Sequence, residues 1–517
     1  MHDLSRRRLL HQTAAFSSIP LLGSLAACGT TFPSDPQIDG RLFSLGVASG
    51  EPWPESVVIW TRLARHPLNG GGMPDLPIAV RWEVATDDRM RNIVRKGIAT
   101  ALPKDGHAVH VEVQGLLPHR WYWYRFSAEG EESQIGRTRT APAAGQRLEA
   151  LRLAFASCQN YERGYFTAYR HMASEDLDLV LHLGDYIYEG GSHDRRPRRH
   201  NSGEVTTLAE YRDRYALYKL DPNLQSAHAA FPWAVVSDDH EVDNNYANDL
   251  ENNLSVSPAE FLKRRAAAYK AYYEHMPLRR AAAPRGPDMQ LYRTLLFGDL
   301  AAIHLLDTRQ YRSDQPNKDT AGLGDDRHGD PRATMLGPKQ EAWLYANLAK
   351  RDHVWNVLAQ QVPMMQRRRP RANGTRYELD QWDGYPAARR RLTDAIRKSA
   401  TQGVIVLSGD EHENWVSDLK ANFDDPTSPT VGAEFVGTSI SSGGNGYRTT
   451  RQFQRVIAAN PHIKYHNGRR GYVRCTVGRE TWRTDLRVMP YVTRPGAPIR
   501  TPASFVVKRR MLNPLQV

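Results

Sequence analysis

Beyond residue 141 the chain repeats one pattern: a strongly apolar run that ends in a cluster of acids, a thiol or a histidine. Residues 151–156 run into Ser157-Cys158, and residues 177–183 into Gly184-Asp185. Residues 234–237 run into Asp238-Asp239-His240-Glu241, and residues 404–407 into Ser408-Gly409-Asp410. Predominantly apolar runs of this kind suit strands buried on both faces, as in a parallel sheet. Helical patterns lie between them. Ser257-Pro258-Ala259-Glu260 is a capping box with proline at the first helical position, opening a helix to about His275. Residues 337–350 and 387–399 also read as amphipathic helices. Strands alternating with helices predict an α/β core over residues 142–517. No fixed-period repeat is visible.

The chemistry sits at the strand ends. In open α/β sheets, ligands bind outside the carboxyl ends of the strands. Groups far apart in sequence can therefore converge there, and the candidates are Cys158, Asp185, Tyr188, Asp239, His240, Asp410 and His412. One such group is ordinarily a cap or a turn residue. Four clusters in the same structural position point to a shared metal site. Carboxylates with Tyr188 offer hard oxygen donors, whereas Cys158 is soft and suits a transition metal. The mixed set points to more than one ion. Two ions about 3.5–4 Å apart clamp an in-line displacement at phosphorus, one activating water and the other binding phosphoryl oxygens. Asp185, after the flexible Gly184, is the natural bridge.

Residues 41–141 follow a different rule. Ile78, Val80, Trp82 and Val84 alternate with Ala79, Arg81 and Glu83, and Val109, Val111 and Val113 with His110 and Glu112. Residues 121–126 form an aromatic run, and glycine-rich turns fall at 69–72 and 104–106. Six or seven short strands predict an N-terminal all-β sandwich of immunoglobulin or fibronectin architecture, without a cysteine pair. Residues 28–40 read as a linker.

The N-terminus reads as an address. Ser5-Arg6-Arg7-Arg8-Leu9-Leu10 precedes a modest apolar stretch too short to span a bilayer, the pattern of a twin-arginine export signal over residues 1–27. Leu25-Ala26-Ala27-Cys28 has two readings. One is a lipoprotein box whose acylated Cys28 would tether the protein to a membrane. The other is a small-residue cleavage site with a coincidental cysteine. Either way a periplasmic or extracellular location is expected. The twin-arginine route usually carries proteins already folded, often around a metal. Three cysteines in 517 residues exclude a disulfide framework. No apolar run reaches the roughly 18 residues of a membrane span, which excludes a multi-span protein. A formal net charge of +12, spread along the chain, favours anionic substrates over a nucleic-acid partner.

Several motifs together carry a family resemblance. They are Ser157-Cys158-Gln159 followed by 164–169, Leu183-Gly184-Asp185-Tyr186-Ile187-Tyr188-Glu189, Asp238-Asp239-His240-Glu241-Val242 with Asn244-Asn245, and Gly409-Asp410-Glu411-His412. Leu306-Asp307-Thr308-Arg309-Gln310-Tyr311-Arg312 and residues 45–62 add to them. The chain resembles the PhoD-type alkaline phosphatase/phosphodiesterase family over most of residues 41–490. The resemblance implies a four-layer metallophosphoesterase core, a β-sandwich flanked by helices, behind the N-terminal β domain. It implies Fe(3+) held by Cys158, Asp185, Tyr188 and Asp410, and Ca(2+) beside it, bridged by Asp185, with Asp239, Asn245 and His412 as neighbours. His240 would contact the phosphate and protonate the leaving oxygen. The division of Asp410 and His412 between the ions stays open. This chain has Asp239-His240 where binuclear metallophosphoesterases generally carry Asn-His.

The expected function is hydrolysis of phosphate esters by metal-activated water. A phospholipase D-type phosphodiesterase is the enzymatic alternative, and a surface-binding protein with a decayed site the non-enzymatic one. Arg195 and Arg196, soon after the Gly184-Asp185 turn, are candidates for substrate binding. Arg367-Arg368-Arg369 reads as a solvated loop, His182 and Cys475 as core residues, and 442–446 as a flexible loop or a phosphate cradle.

Overall fold

A computed structural model describes residues 40–252, 254–316, 330–372 and 374–517, with the backbone of 322–323. The expected signal, the linker to residue 39 and Cys28 lie outside the described residues.

Two sheets face each other at the centre. In the first, strands Ala150–Ala156, Leu179–His182, Pro232–Val235 and Val47–Trp53 lie parallel in that spatial order. In the second, Ala301–Leu305, Trp355–Ala359, Val404–Ser408 and Thr430–Val436 do the same. The sixteen-residue strand Ile463–Gly478 serves both. Its first part pairs with Asn414–Lys420 of the second sheet and its last part with Ala150–Ala156 of the first.

Alternate side chains of each strand go to opposite faces, and both faces are covered. Leu153, Phe155 and Leu181 meet Ile303, Val357, Ile405 and Phe435 between the sheets, where Cys475 is also buried. Ala154, Val180 and Trp233 point the other way, onto helices Thr167–Ala173, Leu208–Lys219, Pro222–Ala230 and Pro258–His275. Leu358 and Val406 pack on helices Gly337–Leu348 and Pro386–Lys398. The layers therefore run helices, sheet, sheet, helices. The capping box forms as expected, with Ser257 Oγ accepting from Glu260 N and the helix ending at His275. Helices Leu208–Lys219 and Pro222–Ala230 carry weak apolar periodicity, because tyrosines and small residues fill their buried sides.

Eight strands occupy residues 47–139. Five of them, led by Ile78–Ala85 and Trp121–Ala128, form a separate sheet. Val47–Trp53, Ser56–Arg62 and Ala108–Gln114 pack against it through Val57, Ile59, Val109, Val80, Tyr122 and Phe126. This is a sandwich, but one of its sheets is continuous with the core. Ser49 and Gly50 pair with Pro232 and Trp233. Alternation along a strand reports which face is buried, not which strand it pairs with, so this junction leaves no local mark.

Candidate metal centre

Every parallel core strand ends on the same side, and the polar clusters follow there. Ser157-Cys158 comes after Ala156, Gly184-Asp185 after Leu183, Asp238-Asp239 after Val236-Ser237, and Gly409-Asp410 after Ser408. Backbone hydrogen bonds lock neighbouring loops together. Cys158 N donates to Gly184 O at 3.1 Å and Gln159 N to Asp185 O at 3.0 Å. Glu241, fully buried, accepts from Asp185 N (3.1 Å), Tyr186 N (2.6 Å) and Asp238 N (2.8 Å), clamping two of the loops.

The loops are bent hard. Cys158, Asp185, Asn245, Asp410 and His412 all have φ between 55° and 63°, a region that L-residues other than glycine rarely adopt. Such positions cost roughly 1–3 kcal/mol each and persist where the surrounding structure over-determines them. Here the packed double sheet does so, and the result is convergence. Ligand atoms of Cys158, Asp185 and His412 lie within 4.8 Å of one another; so do those of Asp185, Asp239 and His240, and those of Asp238, Asp239 and Asp410. Tyr188 Oη donates to Asp185 Oδ2 at 2.8 Å and lies 3.2 Å from His412 Nε2. Asp185 is common to two groups, with Cys158 and His412 on one side and Asp239 and His240 on the other. His412, rather than Asp410, groups with Cys158. Asn245 contributes its backbone N–H to Asp239 Oδ2 at 2.7 Å.

The donor set calls for cations. Asp185 Oδ1, Asp238 Oδ2 and Asp239 Oδ1 are buried without a hydrogen-bond partner, and such groups are normally satisfied. Burial first, then neighbouring acids, push Asp185 well above the ordinary carboxylate range, and burial then Asp185 push the Cys158 thiol and the Tyr188 phenol up. Burial and the Arg470 guanidinium push His412 down, which keeps its ring neutral and able to ligate. A metal ion reverses these penalties by neutralising the charge that causes them.

One cation is built in. Arg309, with no exposed side-chain surface, donates from Nε to Asp238 and from Nη1 to both oxygens of Asp380 (2.9 and 2.7 Å). Its Nη2 lies 3.5 Å from Asp239 Oδ1 and 3.3 Å from Asp410 Oδ1. The guanidinium thus fills the third acidic group. His240 stacks on Tyr188 with ring centroids 4.1 Å apart, and its Nδ1 donates to Glu189 Oε2 at 2.7 Å. Burial lowers the His240 pKa, but the carboxylates of Glu189, Asp239 and Asp185 outweigh it and hold the ring well above the ordinary value. His240 is 20% exposed and Asp410 18%, against 2% for Asp185 and Asp239, so the mouth of the site lies at His240 and Asp410.

Two family models match this chain: the PhoD-like phosphatase over residues 153–486 and the PhoD-like phosphatase N-terminal domain over 29–142. The chain belongs to the PhoD-like phosphatase family. It is 52% identical over 516 residues to alkaline phosphatase D of Bacillus subtilis (strain 168), covering 98% of this chain and 88% of that protein. A solved structure of PhoD superposes with a TM-score of 0.90 at 51% identity over 93% of each chain. As a PhoD-like phosphatase, the chain is a phosphoester hydrolase, and the strand-end cluster is its candidate active centre.

Other residues singled out in the sequence lie outside the three ligand groups. Arg195 is exposed, and Arg196 is half-buried. Arg367 is buried rather than solvated, ion-paired with Glu411 and bonded to Gln381 at 2.9 Å. His182 is a core residue, stacked on Trp233 at 6.0 Å. Ser442, placed in a loop by the sequence, is buried, and its Oγ lies 2.6 Å from Tyr188 Oη and 2.7 Å from Cys158 O. Arg309, Asp238, Asp380, Glu189 and Glu241 carry no role in the sequence reading. Arg309 follows the apolar strand Ala301–Leu305 as the other clusters follow theirs, so its signal was the same strand-end position.

Proposed function

We propose that this phosphatase is exported, depends on iron and calcium, and cleaves phosphate monoesters and diesters on a metallophosphoesterase scaffold. The observation that carries the proposal is the overlap of two ligand groups at Asp185. Cys158, Asp185 and Tyr188 would hold a ferric ion, and His412 takes the fourth place that family resemblance gives to Asp410. Asp239 and Asp185, with Asn245 close by, would hold calcium. Bound there, the ions supply Lewis-acid activation of phosphate and water.

The chain's own residues do the rest. Arg309 holds Asp238, Asp239 and Asp410 in place without their repelling one another apart. Glu189 takes the Nδ1 proton of His240, so the proton that His240 can deliver sits on Nε2, toward Asp185 and Asp239. A protonated ring there neutralises a non-bridging phosphoryl oxygen and protonates the leaving oxygen.

The purified holoenzyme should release product from p-nitrophenyl phosphate and bis-p-nitrophenyl phosphate and lose activity on chelation. Full activity without iron or calcium by elemental analysis refutes the metal assignment. Exclusive turnover of phospholipid vesicles would make it a phospholipase D-type enzyme instead. Export by the twin-arginine route rests on Arg6-Arg7; undiminished export after changing both to lysine removes it. Mass spectrometry of the mature N-terminus decides whether Cys28 is acylated. Among the described residues no helix is long and apolar enough to cross a membrane.

A further inference from the structure

Most arginines around the centre are matched. Arg198 pairs with Asp221 at 2.7 Å, Arg309 with its four aspartates and Arg367 with Glu411, while Arg470 donates to the carbonyls of His412 and Gly444. Arg163 and Arg196 differ. Both are half-buried, and among the described residues neither guanidinium has a hydrogen-bond or carboxylate partner.

Local structure brings the two together. Asn160, two residues past Cys158, caps the turn Tyr161–Arg163 by accepting from Glu162 N (3.1 Å) and Arg163 N (3.3 Å). Glu162 Oε1 accepts from His193 N (2.9 Å) and His200 N (3.1 Å), and Glu162 O from Arg198 N (3.5 Å). These bonds staple the loop holding Arg196 onto the turn that ends in Arg163. After burial, the like charge of Arg196 is the next influence lowering the Arg163 pKa, and Tyr188 of the metal centre is among those raising it. On the other side, Gly444 faces the Arg163 carbonyl, and a Cβ there would lie 3.9 Å from it. Two half-buried cations on loops stapled together just past Cys158 are relieved by an anion, and planar guanidiniums fit phosphate oxygens in pairs.

We propose that Arg163 and Arg196 form an anion subsite at the rim of the metal centre that takes a second, non-transferred phosphate group of the substrate, selecting organic diphosphates over monophosphates. The proposal rests on the phosphate-ester reading and names its preferred substrate class. Arg195, exposed beside Arg196, has no part in it.

The test compares kcat/KM for ADP and AMP on the metal-loaded enzyme, wild type against the Arg163→Gln/Arg196→Gln double variant, with bound metal measured in each. The wild type should prefer ADP by about tenfold, roughly one charge-assisted hydrogen bond. The ratio should fall to near one in the double variant at unchanged metal content. The Arg163→Lys/Arg196→Lys variant, which keeps charge but not the planar fork, should be intermediate and serves if the glutamine variant does not fold. A wild-type ratio at or below one, or a ratio untouched by either double variant, overturns the subsite. Failure of the wild type to release phosphate from p-nitrophenyl phosphate as well would count against the hydrolase reading itself.

Discussion

Gly184 offers the sharpest test of how the centre is assembled. It stands between the apolar strand and Asp185 with φ of +107°, which side-chain-bearing residues rarely adopt. A Cβ built there meets backbone: Asp238 N at 2.6 Å and Asp238 Cα at 3.0 Å, with Asp238 Cβ closer still. Ordinary contact needs about 3.4 Å or more, so the Asp185 and Asp238 loops must part by about 1 Å. Neither can move cheaply, because Glu241 ties Asp185 N, Tyr186 N and Asp238 N together. Strain at the dihedral adds roughly 1–3 kcal/mol, and overpacking roughly another 1–3 kcal/mol. A displacement of about 1 Å at reacting groups costs about 100-fold in rate, and metal sites tolerate only about 0.2 Å in ligand distance. Gly184→Ala should therefore lose at least about 100-fold in kcat/KM on p-nitrophenyl phosphate and part of its bound metal, with far-UV circular dichroism unchanged. Two other glycines calibrate the result. At Gly409 the obstacles are the Ser157 hydroxyl at 2.6 Å, which can rotate away, and Ser157 Cβ at 2.9 Å, which cannot but is a smaller overlap than at Gly184 and involves no backbone atom under 3.5 Å, so Gly409→Ala should be milder but not silent. At Gly190 nothing lies within 4 Å, and Gly190→Ala should be silent. Activity of Gly184→Ala within threefold of wild type would falsify the claim that the distance between these loops sets the site.

Four further outcomes are expected. His240→Ala should keep its metals and lose about 10²–10⁴-fold on alkyl phosphates but less on p-nitrophenyl esters, while Glu189→Gln should cost about 10–100-fold with the same leaving-group trend; equal losses on both substrates would leave His240 only a binding role. Arg309→Gln leaves Asp238 buried without its cation, while Asp380 keeps Arg312 at 2.6 Å, so denaturant titration should show about 3–5 kcal/mol lost, and an unchanged midpoint would refute the charge argument. The wild type should show a broad visible absorption band from a ferric tyrosinate, absent in Tyr188→Phe; an iron-loaded enzyme with the same band in both excludes Tyr188 as a ligand. Burial pushes His182 down to about 3, below its unfolded value near 6.5; the unfolded chain therefore binds the extra proton first, and stability present above pH 6.5 should drain away as pH falls toward 3. His182→Leu should flatten that acid limb, and an identical pH profile would show that His182 does not contribute.

The core was legible because a strand buried on both faces must be mostly apolar: 404–407 is so throughout, and 151–156 is so apart from Arg152 near its start. Strand-end position then picked out Cys158, Asp185, Asp239 and Asp410 without any distance information. What escaped was of two kinds. The pairing of Ser49 and Gly50 with Pro232 and Trp233 joins segments nearly two hundred residues apart and depends on the whole packed core. Arg309, Glu241 and Glu189 escaped as partners because charged residues past a strand read as solvated until their burial is known. Ser442 escaped because Ser-Gly-Gly is the composition of a loop tip, and only its bonds to Tyr188 and Cys158 show it folded back onto the site.

The buried charges themselves explain why such a site needs so many silent partners. Asp185, Asp238, Asp239, Asp380 and Asp410 stand together with a thiol and a phenol, and one arginine answers several of the acids. Left so, burial first and then mutual repulsion push Asp185, Asp238 and Asp410 toward protonation, while Arg309 holds Asp239 and Asp380 down. Cations that bind only the folded arrangement remove that repulsion, and their binding free energy becomes folding free energy. Five ligand candidates in a strained backbone conformation add to the same debt, and the double sheet and Glu241 hold them until the ions do. On the proposed metal-dependent reading, folding and metal loading are coupled at this centre. A centre that closes around its ions would be exported folded rather than threaded, which is the physical argument behind the proposed twin-arginine route.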